Sequence, residues 1–162
     1  MSEIPLPLAL PLLPVLWWIA WSDLARMTIP NAAVLTALMI FLCIGPFSLG
    51  LDEWLSRLAG LPVMLALGFM FSLAGVMGAG DAKAIAALSP FVARSDVASV
   101  LIVFASALLL GLALHRIIRA GPIRKLAPHW RSWTDAKLPA GLCIATTMAV
   151  YILLPFVDQL TT

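Results

Sequence analysis

The chain has 162 residues, of which 62% are hydrophobic and only 11% are charged, and its mean hydropathy is +1.05. Soluble domains carry a charge on about a quarter of their residues. So much apolar surface cannot be buried in one small water-soluble core, so the bilayer is expected to be the solvent. The length fits one membrane domain over residues 1–162, and the formal net charge of +2 excludes little by itself.

Six apolar segments predict an all-α fold, a polytopic membrane bundle of six transmembrane helices. Each segment is expected to be helical because a single span has to satisfy its backbone hydrogen bonds internally. In chain order the segments cover residues 4–22, 31–49, 59–77, 82–93, 97–118 and 138–157. The more polar stretch 51–58 is interpreted as a short interfacial link.

Prolines interrupt the first and the fourth of these segments. Four prolines in the first segment predict a bent or irregular early part. The same segment lacks a basic start and a small-residue cleavage site, so it is interpreted as a span and not as a secretory signal peptide. Pro90 and a short length leave it open whether the fourth segment crosses fully.

The distribution of basic residues predicts the orientation of the bundle. If the six segments alternate, only Arg57 and Arg94 of the 10 basic residues fall on the side opposite the polar stretch 119–137. The positive-inside rule then makes the side of that stretch cytoplasmic, with both termini on the outer side of the bacterial cytoplasmic membrane. The basic stretch itself is attributed to anionic lipid and topology. Five of the six tryptophans fall near the predicted inner face, as interfacial anchors do.

Asp23 and Asp81 stand out among the eight acidic residues, because only these two are embedded among helix ends on the predicted cytoplasmic side. Taken alone, Asp81 fits the N-cap of the fourth helix, and Asp23 fits a solvated residue paired with Arg26. Lys83 alone fits a snorkelling positive-inside residue. As a pair, the aspartates indicate acid–base chemistry on water, in which one carboxylate takes a proton and the other gives one.

Three short stretches resemble the type IV prepilin peptidases, a branch of the GxGD membrane aspartyl proteases. They are "GAGDAK" at residues 78–83, "DLARMTIPN" at 23–31 and "LPAGLCIA" at 138–145. The resemblance implies that Asp23 and Asp81 are the catalytic pair. It also implies supporting roles for the motif residues Gly78, Gly80, Lys83, Arg26, Pro30, Asn31, Pro139 and Gly141. Gly80 is expected to leave room for a substrate backbone or to adopt a positive φ.

The two cysteines separate this chain from the larger bifunctional members of that family, which carry paired CxxC motifs associated with N-methyltransferase activity. Cys43 and Cys143 lie inside apolar segments, form no CxxC and suggest no zinc site. They are interpreted as small core residues, and His115 and His129 as structural residues. No cofactor or metal is expected. The chain therefore resembles the short form that serves Flp-type (tight-adherence) pili.

The resemblance implies a membrane aspartic endopeptidase that removes the short cytoplasmic leader of Flp-type prepilins, with the prepilin and the lipid bilayer as partners and no nucleic acid. A small proton-coupled transporter or channel is the alternative, since intramembrane carboxylates also form proton relays. Against it, both acids fall at one face and no inverted repeat is evident. A non-catalytic assembly factor is a third reading, and the presence of both aspartates argues against it.

Overall fold

The computed structural model describes residues 4–120, 129–133, 135 and 138–161, and within these ranges all regular structure is helical. This confirms the predicted all-α class. The helices of four residues or more are α1 (Leu6–Arg26), α2 (Asn31–Leu49), α3 (Leu51–Leu58), α4 (Gly60–Leu73), α5 (Ala79–Leu88), α6 (Val97–Ala120) and α7 (Ala140–Thr161). Short 3-10 turns occupy Ser89–Phe91, Arg94–Asp96 and Arg131–Trp133.

Helix α1 packs against both α2 and α7. Its residues Leu8, Leu12 and Ile19 are fully or almost fully buried. The helix is continuous through Pro11 and Pro14, so the irregular structure expected from the prolines is wrong from Leu6 onward, whereas the expected bend stays a prediction. The two earlier prolines lie at the N-cap and in the first turn, where the missing N–H group has no intrahelical partner to lose.

The stretch 51–58, expected to be a link, is itself the helix α3. Only Ala59, which also has right-handed helical angles, separates α3 from α4. Asp52 in the first turn and Arg57 in the last turn both suit the helix dipole. The Trp54 indole N–H donates to the carbonyl of Phe41 on α2 at 3.2 Å, which fixes α3 against the preceding helix. The chain therefore turns sharply after α2 and re-enters the bundle as a helix.

In the described part of the chain, four helical stretches are long and apolar enough to cross a membrane, which makes this a multi-pass membrane protein. They are Leu6–Arg26, Asn31–Leu49, Leu51–Leu73 and Arg94–Ile118. A shorter apolar stretch, Ala140–Pro155, belongs to α7. Helix α5 has 10 residues and rises about 15 Å, half of a hydrocarbon core of about 30 Å. The number of six spans and the outer location of the termini therefore remain predictions.

The predicted fourth segment, 82–93, begins and ends differently from the observed α5. The helix starts earlier, at Ala79, and ends at Leu88, just before a 3-10 turn that contains Pro90. Proline at that position cannot continue the α-helical hydrogen-bond pattern. The chain then reaches the far end of the bundle through two short turns, and α6 starts its return there.

Hydrogen bonds fix the chain between α5 and α6, at the far end of the bundle. The Arg57 guanidinium donates to the carbonyl of Phe91 at 3.2 Å. The Tyr151 hydroxyl donates to Asp96 Oδ2 at 3.0 Å and accepts the N–H of Ala93 at 3.2 Å. These bonds join α3 and α7 to the turns between α5 and α6. Because α5 is short, these bonds to the turns that follow it also fix the C-terminal end of α5.

Candidate active site

Asp23 lies in the last two turns of α1 and is buried, with 5% of its surface exposed. Its Oδ2 atom accepts the backbone N–H of Leu142, at the start of α7, at 3.3 Å. Arg26 is exposed, and within the described residues its side chain forms no hydrogen bond or ion pair. The alternative of a solvated Asp23 paired with Arg26 is therefore wrong.

The backbone after Asp23 turns through a left-handed residue. Met27 has φ 56° and ψ 38°, and its N–H donates to the carbonyl of Asp23 at 2.8 Å. A residue in this conformation commonly ends a helix, although glycine is the usual one. The Ser22 hydroxyl donates to the carbonyl of Thr28 at 2.9 Å and fixes the same turn. The turn directs Ile29 back toward the aspartates.

Asp81 is the third residue of α5 and is partly buried. The N-cap of this helix is Gly78, so the interpretation of Asp81 as the N-cap residue is wrong. Instead the Asp81 carboxylate reaches back and its Oδ2 accepts the Gly78 N–H at 3.2 Å. This is the acidic half of a capping box. A Cβ atom on Gly78 would lie 2.9 Å from the same oxygen, so the glycine leaves room for the carboxylate in this position.

Gly80 is helical, and among the described residues positive φ values occur only at Met27, Gly50 and Gly75. Of the two alternatives for Gly80, space for a substrate backbone or a positive φ, the positive φ is therefore wrong. A Cβ atom on Gly80 would meet Ile29 Cβ at 3.7 Å, which is an ordinary contact. A methyl group therefore fits at this position, and only larger side chains would compete for the space beside Asp81.

Ile29 joins the three motifs, and sequence reasoning did not identify it as a site residue. A Cβ atom on Gly141 would lie 2.9 Å from Ile29 Cδ1 and 2.9 Å from Asp23 Oδ2. The same side chain also faces Gly80. Its position inside the "TIPN" stretch was the available signal, but the pattern alone cannot show which side chain points inward.

The Asp23 and Asp81 carboxylates lie within electrostatic range of each other, although 58 residues separate them in sequence. Cys143 on α7 lies within range of both. Its buried thiol donates to the carbonyl of Ala107 on α6 at 3.4 Å. The end of α1, the start of α5 and the start of α7 therefore converge at one end of the bundle, here called the aspartate end.

The other predicted site residues divide into two groups. Pro139 is fully buried directly before α7, and Pro30 is the N-cap of α2, one position before the helix. Asn31, Lys83 and Arg26 are exposed, and the structure gives these three side chains no hydrogen bond or ion pair within its described part. The glycines and prolines thus shape the site, while these polar side chains lie on the surface.

A series of aromatic rings begins on α1, in the two turns that precede Asp23. Trp17 stacks with Trp21, Trp21 packs edge-on against Trp130, and Trp130 stacks with Trp133, with ring centroids 5.2–6.2 Å apart. The buried His115 of α6 stacks on Trp133 at 5.3 Å. This series joins α1 to α6 through residues 129–133. Most of the predicted basic stretch 119–137, including Arg124, Lys125 and Lys137, lies outside the described residues.

No group of three histidine, cysteine or acidic side chains with the spacing of a metal site occurs in the described residues. Two carboxylates and the Cys143 thiol lie within electrostatic range of one another at the aspartate end. This donor set suits proton transfer to and from water.

The sequence profile of the type IV leader peptidase family matches residues 10–115. The chain belongs to the type IV leader peptidase family. The match confirms the resemblance drawn from the motifs, and it contains both aspartates. Family membership identifies the chain as a peptidase. No curated protein and no solved structure gives a significant match to the chain. The start of α7, with Gly141, lies beyond the matched residues, so its place in the site rests on the geometry described above.

Proposed function

We propose that this leader peptidase is an aspartic endopeptidase that cleaves type IV prepilins, with Asp23 and Asp81 as its catalytic pair. The observation that carries the proposal is the convergence of these two carboxylates at one end of a membrane bundle. Each of them accepts a hydrogen bond from a backbone N–H group, which fixes its orientation. Family membership supports a peptidase activity, and the proximity of the two carboxylates supports the proposal that they perform it.

The proposed reaction is direct hydrolysis of a peptide bond. One carboxylate removes a proton from a water molecule as the water oxygen attacks the carbonyl carbon, and the other carboxyl group donates a proton to the carbonyl oxygen. The carbon–nitrogen bond then breaks, the leaving nitrogen takes a proton from one carboxyl group, and the other carboxylate takes a hydroxyl proton from the tetrahedral intermediate, which restores the one-proton state of the pair. Two neighbouring carboxylates suit this exchange, because like charges at short distance favour a state that holds one proton between them.

We further propose that the substrate is an Flp-type prepilin and that the site faces the cytoplasm. A short leader followed by an apolar helix places the scissile bond at the membrane boundary. The two aspartates lie at helix ends, which is the matching depth. The excess of basic residues on this side in the sequence supports the cytoplasmic orientation. The absence of CxxC motifs in this sequence supports the short, Flp-type form.

A proton-coupled transporter has less support. Transport sites lie near the bilayer midplane. Asp23 lies in the last turns of a long helix, and Asp81 lies in the first turn of a short one. Both carboxylates therefore occupy one end of the bundle, where a relay across the membrane would need further acidic or histidine side chains along its path.

Reconstituted wild-type protein tests the proposal when it is given a purified Flp-type prepilin in lipid vesicles. We expect one cut between the leader and the apolar helix, located by mass spectrometry of both products. A prepilin whose leader is replaced by an unrelated secretory signal sequence is the control and should remain intact. Cleavage of both proteins at many positions, or of neither protein, would contradict the proposal.

A further inference from the structure

An apolar groove of about 480 Å³ runs between the helix pairs α4–α5 and α6–α7. Its floor is the line of contact between α5 and α7, formed by Ile85 and Leu88 on one side and by Ile144 and Met148 on the other. Its two walls are α4 and α6. The wall residues are Val63, Leu67 and Phe71 on α4 and Val97, Leu101 and Phe104 on α6.

The groove continues the aspartate site toward the other end of the bundle. Ile85 lies one helical turn after Asp81, and Ile144 directly follows Cys143, which lies within electrostatic range of both carboxylates. Because Asp81 lies in the first turn of α5 and Leu142 in the first turn of α7, the α5–α7 seam leads directly away from the aspartates. Any chain that leaves the site along this seam enters the groove.

The lining determines what kind of chain fits. Among the described residues, no acidic side chain lines the groove, and its two basic residues, Arg57 and Arg94, both lie at the far end. There the Arg94 guanidinium, in the turn before α6, donates to the carbonyl of Ser56 on α3 at 2.9 Å. The α4 wall from Gly60 to Phe71 rises about 17 Å, more than half of the hydrocarbon core. The groove therefore suits an apolar segment that lies along the membrane normal.

We propose that this groove receives the apolar helix that follows the scissile bond of the prepilin. The inference rests on the proposed function, because it requires a substrate bound between the aspartates. Continuity carries it: the residues after the cut bond must remain in the membrane, and the α5–α7 seam is an apolar path that begins at both carboxylates.

Photo-crosslinking from two adjacent residues of α6 tests this placement. Leu101 lines the groove with 58% of its surface exposed, whereas Ile102 is 68% exposed and does not line it. The two residues have nearly the same depth, and their directions differ by about 100° around the helix. A photoreactive phenylalanine is introduced at one position or the other in the Asp81→Asn protein, which we expect to hold prepilin without cutting it.

We expect adducts with the prepilin helix at Leu101 in at least about fivefold excess over Ile102. Equal yields at both positions, or adducts with lipid alone at Leu101, would overturn the groove assignment. The wild-type cleavage assay is run beside it. Cleavage by the wild type without a preference for Leu101 rejects only the groove, whereas failure of the wild type to cleave rejects the proposed function and this inference with it.

A kinetic comparison provides a second measurement that does not depend on the photoreactive residue. Leu101→Trp should lower kcat/KM for full-length prepilin at least about fivefold relative to Ile102→Trp. The same variant should cut a short peptide that contains the leader and only the first few following residues at nearly the wild-type rate. An equal loss on both substrates would mean that the tryptophan disturbs the aspartates, and the groove assignment would then be wrong.

Discussion

Gly141 lies so close to Asp23 that a single added methyl group would collide with the carboxylate. A Cβ atom at Gly141 would be 2.9 Å from Asp23 Oδ2 and 3.0 Å from Asp23 Cβ. Asp23 Cβ is attached to the backbone of α1 and cannot move away without moving that helix, whereas Asp23 Oδ2 and Ile29 Cδ1, both at 2.9 Å, are side-chain ends that would have to shift. Position 141, in the first turn of α7, therefore requires a glycine.

Gly141→Ala should lower both activity and stability. We expect at least a tenfold loss in kcat/KM, because the methyl group displaces either Asp23 or the Leu142 N–H that holds it. Crowding of a packed helix contact should also lower the free energy of unfolding by about 1–3 kcal/mol. Prepilin cleavage and thermal unfolding in detergent measure the two effects. Thr146→Ala on the exposed side of the same helix should change neither, and a fully active Gly141→Ala protein would contradict the described contact.

Gly78→Ala should be more harmful than Gly80→Ala, although Gly80 is the direct neighbour of Asp81. A Cβ atom on Gly78 would lie 2.9 Å from Asp81 Oδ2, whereas one on Gly80 meets nothing closer than 3.7 Å. The crowded atom is the end of a side chain, so the carboxylate shifts while the fold remains. We expect Gly78→Ala to lose at least tenfold in kcat/KM with little change in Tm, and Gly80→Ala to remain within about threefold of wild type.

A comparison of leucine with alanine at Gly80 shows how large a side chain this position accepts. Gly80→Leu should lose at least tenfold in kcat/KM, or about 1.4 kcal/mol of transition-state stabilisation, because it fills the space between Ile29 and the carboxylate. If Gly80→Ala proves as inactive as Gly80→Leu, the conclusion that a methyl group fits beside Ile29 at 3.7 Å would be wrong.

Tyr151→Phe should destabilise the end of the bundle remote from the aspartates. The substitution removes the donor to Asp96 and leaves the N–H of Ala93 without its acceptor in a buried environment. Loss of such a buried partner costs about 1–3 kcal/mol. Thermal unfolding of Tyr151→Phe, Asp96→Asn and the double variant measures the coupling between them. Strictly additive losses would show that the Tyr151–Asp96 bond contributes nothing.

Metal chelators and thiol reagents should leave cleavage unchanged. The described residues contain no cluster that could hold a metal, and the proposed reaction uses no nucleophilic side chain. Cys43 is exposed, whereas Cys143 is buried beside the aspartates. A membrane-permeant maleimide should therefore modify Cys43 without loss of activity. Strong inhibition by EDTA would indicate a metalloenzyme, and inhibition by maleimide that persists in Cys43→Ala would show that Cys143 is accessible.

The apolar segments and the two aspartate motifs allowed the helical class, the family and the candidate pair to be predicted from sequence. Side-chain packing could not be predicted in the same way. Asp23 and Gly141 are 118 residues apart, and no local pattern shows that one excludes a side chain at the other. The different roles of Gly78 and Gly80 likewise depend on where α5 begins. Helix ends are set by caps and by tertiary contacts, and α5 starts three residues before the predicted segment.

The central claim, that Asp23 and Asp81 together hydrolyse the peptide bond, is tested most directly by replacing each one with asparagine. Asparagine keeps the size of the side chain but cannot accept or release the proton. Cleavage of prepilin in lipid vesicles by Asp23→Asn and Asp81→Asn is compared with that by Asp52→Asn, whose side chain is an exposed carboxylate on α3. We predict that the first two variants insert and unfold like wild type but lose cleavage by at least about a thousandfold, while Asp52→Asn remains active. Substantial cleavage by either Asp23→Asn or Asp81→Asn would contradict the two-aspartate mechanism.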